Sequence, residues 1–209
     1  MNASVHVSSH PLLLTRLAQL RHRDTPSPVF RSLVRELSQL LFYEATTDLR
    51  LNKITVPTPL ASCPAHELAQ KIGLVPILRA GLGMAEAILE MVPTAGVWHL
   101  GMYRDHATSQ PVMYYNPLPQ KAAFDVAMVV DPMLATGGSA VACINELKKK
   151  GVTHIKFLGL IAAPEGVAIM QKHHPDVPLY LAAIDSHLNE KNYIVPGLGD
   201  AGDRQFGTA

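Results

Sequence analysis

The chain has no surplus of charge to speak of. Its 209 residues carry 18 Lys and Arg against 17 Asp and Glu, a formal net charge of +1. A protein built to grip nucleic acid or an anionic bilayer shows a basic face or run. The only lysine run here, Lys148–Lys149–Lys150, falls at the end of an expected helix, where cations complement the macrodipole. There are two cysteines, Cys63 and Cys143, far apart and outside any C-x-x-C, which argues against a disulfide framework and a zinc site. A reduced, cytoplasmic setting fits them. No apolar stretch approaches the ~20 residues that span a bilayer. The sequence also lacks Gly-Lys-Ser/Thr, H-E-x-x-H and G-x-S-x-G, so P-loop NTPase, zincin and α/β-hydrolase chemistries have no anchor.

With 48% hydrophobic residues and 17% charged, the chain can bury one sizeable core. The first fifty residues read as helical. Within 27–49, Phe30, Leu33, Val34, Leu37, Leu40 and Leu41 recur at helical spacing, and Pro28 suits a first turn. The pattern then alternates. Residues 74–78, 97–102, 124–130, 155–161 and 179–184 read as strands, and 84–91, 139–150 and 165–173 as helices. Such alternation implies right-handed crossovers and a mainly parallel central sheet flanked by helices, an α/β fold. Ligands of these sheets bind at the carboxyl ends of the strands. Arg79, Arg104 and Asp131 each follow an expected strand. The polar segment 103–111 precedes a short strand at 112–115; a hairpin or lid over the site and a plain surface loop both fit it.

The stretch VVDPMLATGGSA, 129–140, concentrates the chemistry. A buried strand runs into Asp131 and Pro132, then a loop closing on Gly137 and Gly138, then a helix. Glycine-rich loops that open helices hold phosphates through backbone N–H groups and the helix dipole. A carboxylate beside such a loop repels phosphate unless it holds something else, such as a sugar hydroxyl or the water shell of a cation. By contrast, GLGDAG at 197–202 is a literal G-x-G-x-x-G in the wrong context for a dinucleotide fingerprint, since only seven residues follow it.

DPMLATGGS at 131–139 resembles the phosphoribosyl diphosphate (PRPP) loop of the uracil phosphoribosyltransferase family. PILRAG (76–81), GMYRD (101–105), LIAAPEG (160–166) and YIVPGLGDAGDRQFGT (193–208) are similar to that family in order and spacing. HPLLLTRLAQLR and YEATTDL extend the likeness more weakly toward the start. The resemblance implies a single phosphoribosyltransferase domain that joins ribose 5-phosphate from PRPP to uracil, giving UMP and diphosphate. It implies that Asp131, Pro132, Met133, Leu134, Ala135, Thr136, Gly137, Gly138 and Ser139 hold the ribose and its 5-phosphate. It puts Arg79 and Arg104 on the diphosphate, with Asp200 also facing PRPP. Ile194, Gly199, Asp200 and Ala201 would read uracil, and Asp131, Arg104 and Asp200 would form the catalytic set. Mg2+ would arrive with PRPP; homo-oligomers are usual, and GTP activates some members. Two acids commonly precede this loop in the wider phosphoribosyltransferase class. Pro132 replaces the second here, as is typical of the uracil branch. Thr15–Arg16 stands where relatives often have His-Lys. The alternative from another class is a non-catalytic nucleotide-sensing or RNA-binding regulator on the same fold, which should show a basic face and could dispense with Asp131, Arg104 or the tail.

Overall fold

A computed structural model describes residues 4–104, 111–118 and 123–208. The chain begins with a three-residue strand, β1 (Val5–Val7), and two helices, α1 (Pro11–Arg21) and α2 (Ser27–Ala45). The first fifty residues are mainly helical, as expected, with two additions: the start pairs into the sheet, and residues 22–26 separate the helices. A two-stranded hairpin follows, β2 (Leu51–Pro57) and β3 (Ser62–Leu68). The alternating region then gives β4 (Ile72–Leu78), α3 (Leu82–Met91), β5 (Gly96–Val97), β6 (Leu100–Arg104) and β7 (Pro111–Tyr115). It continues with β8 (Val126–Val130), β9 (Met133–Leu134), α4 (Gly138–Lys149), β10 (His154–Ala162), α5 (Pro164–His173) and β11 (Leu179–Ile184). The tail holds β12 (His187–Leu188), β13 (Ile194–Val195) and α6 (Ala201–Phe206).

The main sheet has the order β1-β11-β10-β8-β4-β6-β7. Every ladder along it is parallel except β6–β7. Strand β8 is buried throughout and β4 in all but its last residue, the continuous apolar run of a sheet covered on both faces. Two apolar layers do the covering. One sets Leu33, Leu37 and Leu41 of α2 and Met84 and Ile88 of α3 with Leu74, Met128 and Leu158 of the sheet. The other sets Cys143, Ile144 and Leu147 of α4 and Met170 of α5 with Val75, Val129 and Phe157. The alternation of strand residues between these layers is the period-2 geometry of a β-strand. Arg104 pairs through its backbone with Pro111, so β6 and β7 form a hairpin; residues 105–110, on which the lid reading rests, lie outside the described residues.

Candidate active site

Strands β8, β4 and β6 are neighbours, and their carboxyl ends bring Asp131, Arg79 and Arg104 to one edge of the sheet. A close approach fixes the first two. A Cβ on Gly81 would stand 2.3 Å from the Val130 carbonyl oxygen, so the turn after β4 rests directly on the backbone that leads into Asp131. Only a residue without a side chain allows that contact.

The loop that follows Asp131 is more structured than a bare turn. After Asp131 the chain continues as β9, which pairs in parallel with β10 at Ile161↔Met133 and Ala162↔Leu134. The Pro132 carbonyl accepts from the N–H groups of Leu160 (3.1 Å) and Ile161 (3.0 Å), and the Leu134 carbonyl from Ala163 (2.9 Å). Asp131 and Pro132 thus form an interruption between two strands that share one partner. Pro132 and Leu134 are buried. What these two can offer a ligand is main chain. Gly166 presses the LIAAPEG turn onto the loop from the other side, where a Cβ would meet the carbonyl oxygens of Ala135 at 2.4 Å and Leu134 at 2.6 Å. The remaining residues, Ala135 to Ser139, lead into α4 through Gly137, whose φ is +79°. Together with Asp131 and Met133 they line a small cavity of about 50 Å3 at the start of that 12-residue helix. This is the anion-binding arrangement of a helix N-terminus.

Asp131 keeps partial access to solvent, and its carboxyl accepts one long backbone hydrogen bond, from the Met133 N–H at 3.4 Å. Desolvation by the surrounding loop pushes it up to about 7, and the Met133 N–H works against that rise. A carboxyl so poorly compensated is set to gain from partners with O–H groups.

Arg79 donates from Nη2 to Asp203 Oδ1 at 3.0 Å, and Thr208 Oγ1 donates to the same oxygen at 2.6 Å. The Thr208 hydroxyl first, and then Arg79, hold the Asp203 carboxyl below the usual range. Asp203 lies in the first turn of α6, and Asp200 caps that helix by accepting from the Asp203 N–H at 2.9 Å. The tail therefore folds back to the Arg79 edge. Asp200 and Gly199 are exposed there, whereas the Ile194 and Ala201 side chains are buried, so these two can meet a base only through their backbones. Buried Gln205 locks α6 down by donating to the Ala80 carbonyl at 3.0 Å.

Sequence reasoning missed Asp203, Gln205, Arg21 and Asp185. Asp185 carried a readable signal, an acid immediately after a strand at the ligand-binding edge. Asp203 stood inside the GDAGDR motif without a role.

A family profile described as Uracil phosphoribosyltransferase matches residues 7–208. The chain belongs to the uracil phosphoribosyltransferase family. It is similar to the Roseiflexus castenholzii protein named uracil phosphoribosyltransferase, 61% identical over 204 residues and 98% of each chain. A namesake from Halalkalibacterium halodurans is 55% identical over 207 residues, 99% of each chain. A solved protein of Aquifex aeolicus superposes with a TM-score of 0.90 at 36% identity, covering 98% of this chain and 99% of that one. A Bacillus anthracis hypoxanthine-guanine phosphoribosyltransferase, at 10% identity and TM-score 0.51, covers 76% of this chain and 80% of its own. That likeness speaks for the fold alone.

Proposed function

We propose that the protein transfers ribose 5-phosphate from PRPP to uracil, giving UMP and diphosphate in pyrimidine salvage. The observation that carries this reading is the convergence of Asp131, Arg79 and the α4 N-terminus at one sheet edge, with the glycine-rich tail tied to the same edge by Asp203. Membership of a family whose relatives bear this name supports it.

The chain's residues divide the work. Backbone N–H groups from Ala135 to Ser139, with the Thr136 and Ser139 hydroxyls, hold the 5-phosphate. Asp131 accepts from the ribose hydroxyls, and those bonds strengthen as C1′ gains positive charge in an oxocarbenium-like transition state. The C1′–O bond to diphosphate breaks, a bond from C1′ to uracil N1 forms, and the N1 proton is lost. Arg79 and Arg104 neutralise the leaving diphosphate, a task suited to an always-charged, bidentate guanidinium. Backbone groups of Ile194, Gly199, Asp200 and Ala201 read the base edge.

Mg2+ fits this donor set as an ion carried on PRPP. Asp131, half-buried, and Asp200, exposed, are carboxylates that suit the water shell of a substrate-borne ion. Bound there, it would add charge neutralisation at the diphosphate. A homo-oligomer is proposed with support from the β2–β3 hairpin. This arm forms its own two-stranded sheet and exposes Leu51, Leu60 and Leu68. A cytoplasmic location agrees with the described helices, none of which is long and apolar enough to cross a membrane. GTP as an effector comes from the family resemblance and is checked by adding it to the same assay.

That assay mixes the protein with uracil, PRPP and Mg2+ and follows UMP by chromatography. UMP and diphosphate in equal amounts are expected. Absence of UMP, with product from hypoxanthine instead, would overturn the assignment.

A further inference from the structure

The last turn of α1 is tied to the tail from two sides. Arg21 forms a two-pronged pair with Asp185, Nη1 to Oδ2 at 2.7 Å and Nη2 to Oδ1 at 2.5 Å. The Asp185 side chain is only 4% accessible. The same two residues hold both backbone groups of Gly197: Arg21 Nη1 donates to its carbonyl at 2.8 Å, and its N–H donates to Asp185 Oδ2 at 2.9 Å. Arg204 reaches back the other way. It donates to the carbonyls of Leu198 (2.7 Å), Leu20 (3.1 Å) and His22 (2.6 Å), with its guanidinium over the Phe30 ring at 4.4 Å. Residues 197 and 198 are thereby pinned immediately before Gly199, Asp200 and Ala201, while Asp200 and Gln205 secure the turn that follows.

We infer that Arg21, which lies outside the substrate-contacting set, is a positioning residue for uracil recognition, acting through Asp185 and Gly197. This rests on the proposed uracil reaction. A segment that reads a base through main-chain groups has no rotamers with which to correct a displaced backbone, so its precision comes from whatever holds that backbone. Here the holder is a buried, doubly hydrogen-bonded ion pair, a geometry that only a guanidinium supplies. Losing Arg21 strands the Asp185 carboxylate in a buried setting and frees Gly197 on the carbonyl side. The PRPP loop makes no use of this tie: its contacts run to β10 and to the Gly166 turn. The inference therefore predicts an effect confined to the base.

The test compares Arg21→Ala, Arg21→Lys and Asp185→Asn with the wild-type chain. KM for uracil is measured at saturating PRPP, KM for PRPP at saturating uracil, and a thermal midpoint is taken for each variant. Arg21→Ala should raise KM for uracil roughly ten- to hundredfold and lower the preference for uracil over cytosine, with KM for PRPP nearly unchanged. Arg21→Lys should recover part of the loss, because an ammonium can reach one of the two acceptors. If Arg21→Ala does not fold, Arg21→Lys and Asp185→Asn should show the same uracil-selective shift on a smaller scale. Equal shifts in both KM values, or a lowered midpoint with unchanged uracil kinetics, would overturn the positioning role. A wild-type chain that forms no UMP would instead remove the reaction on which the role depends.

Discussion

The loop proposed to hold PRPP and the tail proposed to read the base differ in what holds them. The loop from Asp131 to Ser139 is stitched by main-chain bonds to its neighbouring strand and by close backbone approaches at Gly81 and Gly166. The tail from Ile194 to Ala201 hangs on side chains distant in sequence: Arg21 donates to the Gly197 carbonyl across 176 residues, and Arg31 holds the helix that follows by donating to the Gln205 carbonyl across 174. A phosphate dianion demands a cradle of N–H groups, and a strand-loop-helix unit makes one locally. A flat base demands one fixed edge, and a short extended tail gains such an edge only from outside itself. The difference predicts that damage to the loop strikes chemistry and PRPP, whereas damage to the tail's supports strikes base binding.

The strongest way to sharpen that contrast is Asp131→Asn. It should keep the fold and cut kcat by roughly 10²–10³-fold, the scale of other preorganised polar contacts, with KM for uracil little changed. Near-normal turnover in the purified variant would remove Asp131 from the transition state. Next comes Gly166→Ala. Its Cβ would press on two carbonyl oxygens at 2.4 and 2.6 Å, which should cost about 1–3 kcal/mol in denaturant unfolding and raise KM for PRPP more than for uracil. An unaltered unfolding midpoint would show that the two turns are not in contact.

A smaller, graded effect comes from pH. The Asp131 carboxyl sits near 7 because burial disfavours its charge. If the ionised form accepts from ribose, kcat/KM for PRPP should fall toward tenfold per unit as pH drops below about 7, and Asp131→Asn should flatten that limb. Stability moves the opposite way. With its folded value raised above 3.8, the group binds more protons in the folded chain than in the unfolded one between about 4 and 7. Its contribution therefore favours folding progressively as pH falls through that window, and the cost of its charge is fully present above it. Comparing pH-dependent unfolding of the wild type and Asp131→Asn isolates this contribution; identical slopes would contradict the raised value.

The same contrast explains what could be read in advance. Strands β4, β8, β10 and β11 and helices α4 and α5 were legible because each is a contiguous run with one period, buried on known faces. Strand 179–184 matches β11 residue for residue, while 97–102 divides into β5 and β6, each pairing with a different part of β4. The β2–β3 hairpin was invisible. Its strands are mostly exposed, with no fully buried residue, and Pro57, Pro59 and Pro64 interrupt the usual strand signal. The strand-loop-helix turn that carries Asp131 and the two glycines was legible because the device is local. Arg21 carried no motif of its own, and nothing near it in sequence pointed to Asp185. Long-range ties of that kind have no local signature.

Central to the account is a tail that reads uracil through its backbone, and the ratio of kcat/KM for uracil to that for cytosine in the wild-type enzyme tests it most directly. Cytosine presents an amino donor where uracil presents the O4 acceptor, and its N3 accepts where uracil donates. A backbone N–H and carbonyl set for uracil would then face like partners, and sites built on such bonds reject the mismatch by ~10⁴ or more. A ratio of that order, with 5-fluorouracil retained as a substrate because its edge is unchanged, is the expected result. Comparable values for cytosine and uracil would contradict both the backbone-reading tail and the uracil assignment.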